Sequence, residues 1–401
     1  MAGTLSYRKQ PFPNYLVGNP IVFELESTEN DLIYFDVVIQ GVVIYSGTFI
    51  PTQSGAFYEA NISISDIVKS YMQTSKIENT SLLVSPVSNP YLRVAVLFNQ
   101  NNSALNYSGR VFNGGIGKKM LRYLKEKNSD IFSYKFLNTD KQFFLTTRTS
   151  GRHIVVKENE LSPLFFVATD KAYSVVTEFG NVFTFPAMTN GDLYAFNMET
   201  LRQLSYDAYN RIPSYVGFLI DGKYVFDITI KEPARSPNKY IIQFLNSFSA
   251  FEKLEVTGKS VSEPEFAEDN AFSLYDSIVD DYIEQNNRLA IRETITADFG
   301  YKTLEEFFFM RDMLQSDKRI LFDQSGNSYE ARISVDNFSH DLVPTEPGSV
   351  QLKIRMIESD VNYSPEIDES LPDFNFGEAI WLHGVTNGYG FLFADSKLNT
   401  I

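Results

Sequence analysis

The sequence predicts a mainly β fold, all-β with a few short helices, in two or three antiparallel sandwich-like or barrel-like domains plus an extended C-terminal arm. Aromatic residues make up 14% of the chain, 34 Phe and 23 Tyr against one Trp, a bias that favours strands. Apolar–polar alternation broken by Gly, Asn, Asp and Pro turns runs along most of it. At roughly 100–200 residues per domain, 401 residues make two or three units. No short fixed repeat is present, which disfavours solenoids and propellers.

The first domain, residues 1–110, opens with a strand over 21–26 and a hairpin of 32–39 and 42–49 around Gln40-Gly41. Adjacent apolar pairs, Val38-Ile39 and Val42-Val43, predict cover on both faces near that turn. A strand over 57–64 follows, then a short helix over 66–72 with Ser65 as its cap, and apolar runs 82–84 and 92–98 complete the domain. Asn113-Gly114-Gly115 leads into a helix over about 117–127, basic on its exposed side, and opens a middle domain, 111–235. Strands are expected there at 142–147, 153–156, 164–169, 173–178 and 182–185. The strongest turn signal is Asp221-Gly222 between 216–220 and 223–230, since Asp-Gly tolerates the positive φ values of a type I′ turn.

A proline-bearing break at 231–238 starts the third domain, 236–358, with strands at 240–246 and 254–257. A helix is expected over 274–287, and Thr303-x-x-Glu306 is a capping box that starts another over 304–315. In that second helix Leu304, Phe307, Met310 and Leu314 form one stripe, and Phe308, Phe309 and Met313 widen it beyond one core face. The surplus marks Phe308, Phe309 and Met313 as candidate assembly contacts. Residues 359–401 form an acidic, proline-broken arm whose end carries Trp381, Phe391 and Phe393. These too are candidate contacts, because apolar clusters on such an arm need burial against the body or a neighbour.

The charge balance is 35 Lys plus Arg against 50 Asp plus Glu, −15 in all, so specific nucleic-acid binding or attachment to an anionic bilayer is not expected. Without cysteine there is no disulfide, thiolate nucleophile or zinc finger. Arg8, Lys9, Pro11 and Pro13 stand where a signal peptide needs an apolar run, so synthesis without secretion or membrane insertion is expected. The run from Asn113 to Lys119 departs from both phosphate-loop and dinucleotide patterns, and reads as a helix entry. His153, His340 and His383 fall in no catalytic array. Asp276, Asp280, Asp281 and Glu284 on one helix side offer hard oxygens for calcium, although a solvated face is the simpler reading. Glu252 and Glu255 form a carboxylate pair whose separation alone would test a glycosidase. No catalytic residue, metal site or cofactor is expected.

Two segments carry a resemblance. The stretch from Pro11 to Leu25, PFPNYLVGNPIVFEL, and that from Tyr240 to Gly258, YIIQFLNSFSAFEKLEVTG, resemble segments of virion proteins of tailed phages and prophages of the Bacteroidetes group. The likeness covers about the first 60 residues and 240–357, where the capped helix followed by 316–322 and a hairpin is similar to tail-tip or tail-ring components. It implies a structural, non-enzymatic subunit of tail, neck ring or baseplate, made in the host bacterial cytoplasm and forming rings with itself and other virion proteins. Alternatives are a carbohydrate-binding or adhesin module using exposed tyrosines as sugar platforms, and a glycan hydrolase.

Overall fold

A computed structural model describes residues 4–141, 143–236, 240–267, 272–285, 290–300, 302–323, 327–338 and 349–357. Trp381, Phe391 and Phe393, with the acidic arm, lie outside the described residues, as do His340 and His383. The described chain is mostly strand, in two β-sandwiches and a third unit with a long sheet and a helix.

In the first sandwich one sheet runs Leu5–Lys9, Val22–Ser27, Phe57–Ser63, Thr52–Ser54. The other runs Asn14–Leu16, Ser103–Phe112, Tyr91–Gln100, Ile33–Ile39, Val42–Phe49. Strict alternation sends Phe23 and Leu25 inward from one sheet to meet Val37, Val96 and Phe98 of the other, all buried. The Phe23 and Phe98 rings meet edge-on at 5.0 Å. Two separate sheets, not a closed barrel, settle the topology here. Helix α1, Ser65–Tyr71, starts after Ile64, and Ser65 is not its cap: its hydroxyl accepts the Ile21 N–H at 2.7 Å.

The second sandwich takes two strands from the first third of the chain. Its five-stranded sheet runs His153–Lys157, Lys223–Lys231, Tyr215–Ile220, Tyr173–Thr177, Val182–Thr184. The four-stranded partner runs Leu164–Val167, Leu193–Phe196, Val84–Ser88, Lys76–Ile77. The region around 84 therefore completes the second core, with Val84 buried in it, and not the first. Asp221 and Gly222 have φ of 51° and 72°, the turn expected. Of the strand expected over 142–147, the described residues 143–147 form none; Phe143 and Phe144 fill the core from an irregular segment. Two helices flank this unit, α2, Lys118–Glu126, and α3, Met198–Tyr209. A Cβ on Gly114 would lie 2.7 Å from the Ser247 carbonyl, so the glycine run serves close packing against the third unit.

The third unit is a seven-stranded antiparallel sheet in the order Phe251–Val256, Tyr240–Leu245, Arg319–Phe322, Ser328–Ser334, Gln351–Met356, Thr294–Asp298, Ser260–Ser262. Helix α4, Leu304–Gln315, packs its buried side into that unit's core. Its capping box is formed as read: the Thr303 N–H donates to Glu306 Oε2 at 2.8 Å, and Thr303 Oγ1 accepts the Glu306 N–H at 3.3 Å. A fourth cluster, with Leu16, Phe112, Leu124, Phe132, Phe165 and Phe248, joins segments of all three units.

The helix expected over 274–287 is instead a β-ribbon, with Phe272–Asp276 paired to Asp281–Gln285. Local bonds override the helical pattern. Asp276 Oδ1 accepts the Ile278 N–H at 2.8 Å, and Asp280 takes φ of 54°, an Asx-type turn that competes with helix.

Candidate assembly surface

Helix α4 answers first for the predicted contacts. Phe309 and Met313 are fully buried in their own core and are not available to a second subunit, which corrects that expectation. The reason is that the helix is covered on two sides. Phe309 packs on Phe244 of the sheet, rings 5.0 Å apart, and Arg148 of the second unit lies 4.3 Å over its face. Phe308 alone of the three reaches the surface, 47% exposed.

The sheet edge at Ser260–Ser262 and Thr294–Asp298 continues into the ribbon. Ser260 pairs Ala297, Glu265 pairs Arg292, and Asp276 pairs Asp281, three short ladders that share one register among the described residues. Lys353 and Arg355 hold Glu265 at 3.3 and 2.9 Å and tie its base to the sheet. Beyond that the side chains lose cover. Leu274 faces Ile283 and Tyr275 faces Tyr282 across the strands, and all four are exposed. At the turn Ile278 is 92% and Val279 61% exposed. Asp276, Asp280 and Asp281 stand around them; they are a turn cluster and not one helix face, and no metal-holding group occurs among the described residues. Sequence reasoning missed this element, although Leu-Tyr-Asp and Asp-Tyr-Ile mirror each other about Ile278-Val279, the pattern of a ribbon folding on itself.

A second apolar surface lies on the edge strand Val42–Phe49, where Val42, Val43 and Tyr45 are exposed, followed by exposed Ile50. An edge strand with one unpaired side is a template for another chain.

Between the second and third units lies a buried polar junction. Arg148 Nη1 donates to Glu160 Oε2 at 2.9 Å, with their side chains 8% and 1% exposed, and Arg148 Nη2 donates to the Lys253 carbonyl at 2.5 Å. Glu160 also accepts the Glu255 N–H at 2.8 Å, and Lys157 pairs with Glu255 at 2.7 Å. Burial pushes Glu160 up, but Arg148, Lys302 and Lys157 outweigh it and hold the carboxyl below its usual range. Burial dominates at Glu252 and raises it, despite Arg148 and bonds from Thr146 and Asn246 at 2.5 and 2.7 Å. Glu252 and Glu255 are both buried and bonded, Glu252 to Thr146 and Asn246 and Glu255 to Lys157 and Asn159, so both serve as joints between the units.

A cleft of about 590 Å³ opens beside Phe308, where α2, the 131–141 segment and α4 meet. Ile116, Met120, Tyr134, Phe248 and Phe308 give it apolar walls, and Lys135, Lys141 and Arg311 charge it. Its one carboxylate, Asp312, already accepts from Ser247 N–H at 3.0 Å and Thr147 Oγ1 at 2.6 Å. Lys135 sits 4.6 Å over the Phe248 ring, and burial pulls its ammonium down to about 8 against the upward pull of Glu252. Tyr275 and Tyr282, both exposed, meet edge-on at 67°, as do Tyr123 and half-buried Tyr134 at 73°, so neither pair forms a flat platform.

No family model and no curated protein matches this sequence. Among solved structures the chain is similar to the neural ectodermal development factor IMP-L2, at 8% identity over 58% of this chain and 95% of that one, TM-score 0.16. It is similar to the I67–I69 fragment of titin at 7% identity over 74% and 94%, TM-score 0.18. The third to fifth extracellular domains of Drosophila OTK match at 8% identity over 73% and 91%, TM-score 0.18. Scores this low carry no argument about function. No helix among the described residues is long and apolar enough to cross a membrane.

Proposed function

We propose that this chain is a non-enzymatic structural subunit of a tailed-phage virion, a component of tail, neck ring or baseplate, working by assembly with copies of itself and other virion proteins. One observation carries the assembly reading: a β-ribbon ends in Ile278 and Val279, apolar residues that are 92% and 61% exposed. Such side chains on a stable fold are explained by a partner that buries them. The buried junction supports the reading, since it locks two units together and lets force applied at the ribbon reach the rest of the molecule. The resemblance of 11–25 and 240–258 to tailed-phage virion segments supplies the virion setting.

Light scattering on the purified chain tests assembly, with a mass of several times 45.7 kDa expected. A monomer at every concentration refutes it. Peptide mass spectrometry on purified particles of a phage encoding the chain tests the setting; its absence from intact particles refutes a virion role. Deleting residues 359–401 separates the arm from the ribbon: an oligomer of unchanged stoichiometry removes the arm from the contact.

A further inference from the structure

We infer that the ribbon tip of one copy seats in the basic cleft beside α4 of a second copy, joining molecules head to tail. This rests on the assembly reading above and names its contact. Charge is the first argument. Residues 272–285 include Asp276, Asp280 and Asp281 and no Lys or Arg. The cleft presents Lys135, Lys141 and Arg311, none of which forms a salt bridge among the described residues. Its one carboxylate is already bonded to Ser247 and Thr147. Acid therefore meets base, and neither set forms a salt bridge among the described residues.

Shape and polarity agree. Ile278 and Val279 project from the tip, while the cleft has walls of Met120, Phe248 and Phe308. About 590 Å³ lies within the roughly 300–1,000 Å³ of clefts that bury a ligand, enough for the turn's side chains. None of the cleft's lining comes from the chain's own ribbon. Tip and cleft are different patches, so the contact is heterologous: it closes a ring where the rotation allows and extends a filament where it does not. A bilayer suits the tip poorly, because Asp276, Asp280 and Asp281 would lose their water with no cation to receive them.

The chain lacks cysteine, so single substitutions report cleanly. Mixing I278C with F308C under mild oxidation is expected to give a mixed disulfide at least about tenfold faster than I278C with V182C, because a docked pair has a high effective concentration. Val182 is an exposed control on the second sandwich. Independently, R311E and D281K should each weaken association about tenfold or more, and the double variant R311E/D281K should restore it. Both positions are exposed, so folding is not at stake. An oligomer unmoved by either charge reversal, with no selective disulfide, overturns this contact and leaves the assembly reading standing. A wild-type monomer overturns both. Flotation of the chain with phosphatidylcholine vesicles, lost in I278D, overturns the contact in favour of a lipid surface.

Discussion

Replacing Glu160 with Gln keeps the shape of the buried junction and removes one charge. Arg148 then keeps the Lys253 carbonyl at 2.5 Å and the Phe309 ring at 4.3 Å and loses its direct ion pair, with the Glu252 carboxyl left nearby, on a side chain only 8% exposed. Leaving one member of a buried pair uncompensated costs about 3–5 kcal/mol. The lower end applies here, because Lys157 retains Glu255 at 2.7 Å. With a urea slope of about 2–3 kcal/mol/M, that loss moves the midpoint of the affected transition down by about 1–2 M. The double variant R148M/E160Q should recover most of it, since a methionine on Phe309 needs no counter-charge. Circular dichroism in urea at pH 7 is the assay. An E160Q midpoint within about 0.3 M of wild type, or a double variant as unstable as the sum of the singles, refutes the account. The pH sign follows from the lowered carboxyl. Glu160 contributes its full stability above the ordinary carboxylate range and loses it as pH falls through the depressed folded value, so E160Q should flatten the acid limb.

Phe308 and its neighbour should separate cleanly in the same assay: F309A removes a fully buried ring and costs about 3–5 kcal/mol, whereas half-exposed F308A stays within about 1 kcal/mol. T303A breaks the capping box of α4 and should cost about 1 kcal/mol by urea unfolding. Lys135 titrates near 8 in the fold against 10.5 in the unfolded chain, so its charged form destabilises below pH 8 and the penalty is relieved between pH 8 and 10.5. The wild type should therefore gain up to about 3 kcal/mol relative to K135M across that window; parallel curves for the two proteins would contradict it. At concentrations low enough to keep the chain monomeric, I278D should leave the urea midpoint unchanged, because a residue 92% exposed contributes almost nothing to its own fold.

Turn chemistry and alternation were legible without coordinates. Gln40-Gly41 and Asp221-Gly222 fixed two hairpins because positive φ at both positions is a local property of those residues. The Thr303 box did the same for α4. Helix α3 was hidden because its buried side includes Ser205 and Arg202, the latter held inside by Glu158, 44 positions earlier. The destination of Val84–Ser88 was hidden for a similar reason: local pattern marks a strand but not which sheet receives it. The aromatic surplus on α4 pointed outward only because Arg148, which covers Phe309, lies far away in the chain. Of the candidate surface, the exposed turn was readable only through the mirrored Leu-Tyr-Asp and Asp-Tyr-Ile, a signal that helical spacing of the acids overwrote.

The strand Val84–Ser88 imposes an order on biosynthesis. Its partner Leu193–Phe196 leaves the ribosome some hundred residues later, and at about 5–20 residues per second the earlier segment waits roughly 5–20 s before Tyr194 can meet Pro86. Through that interval Val84 and Val87, destined for the interior, stay uncovered on the nascent chain, while the first sandwich, whose strands lie within residues 5–112, can already close. Chaperone demand should peak in this window. A nascent chain released before residue 196 would carry an open edge with no sister strand to take it, and such truncated products should aggregate where the full chain does not.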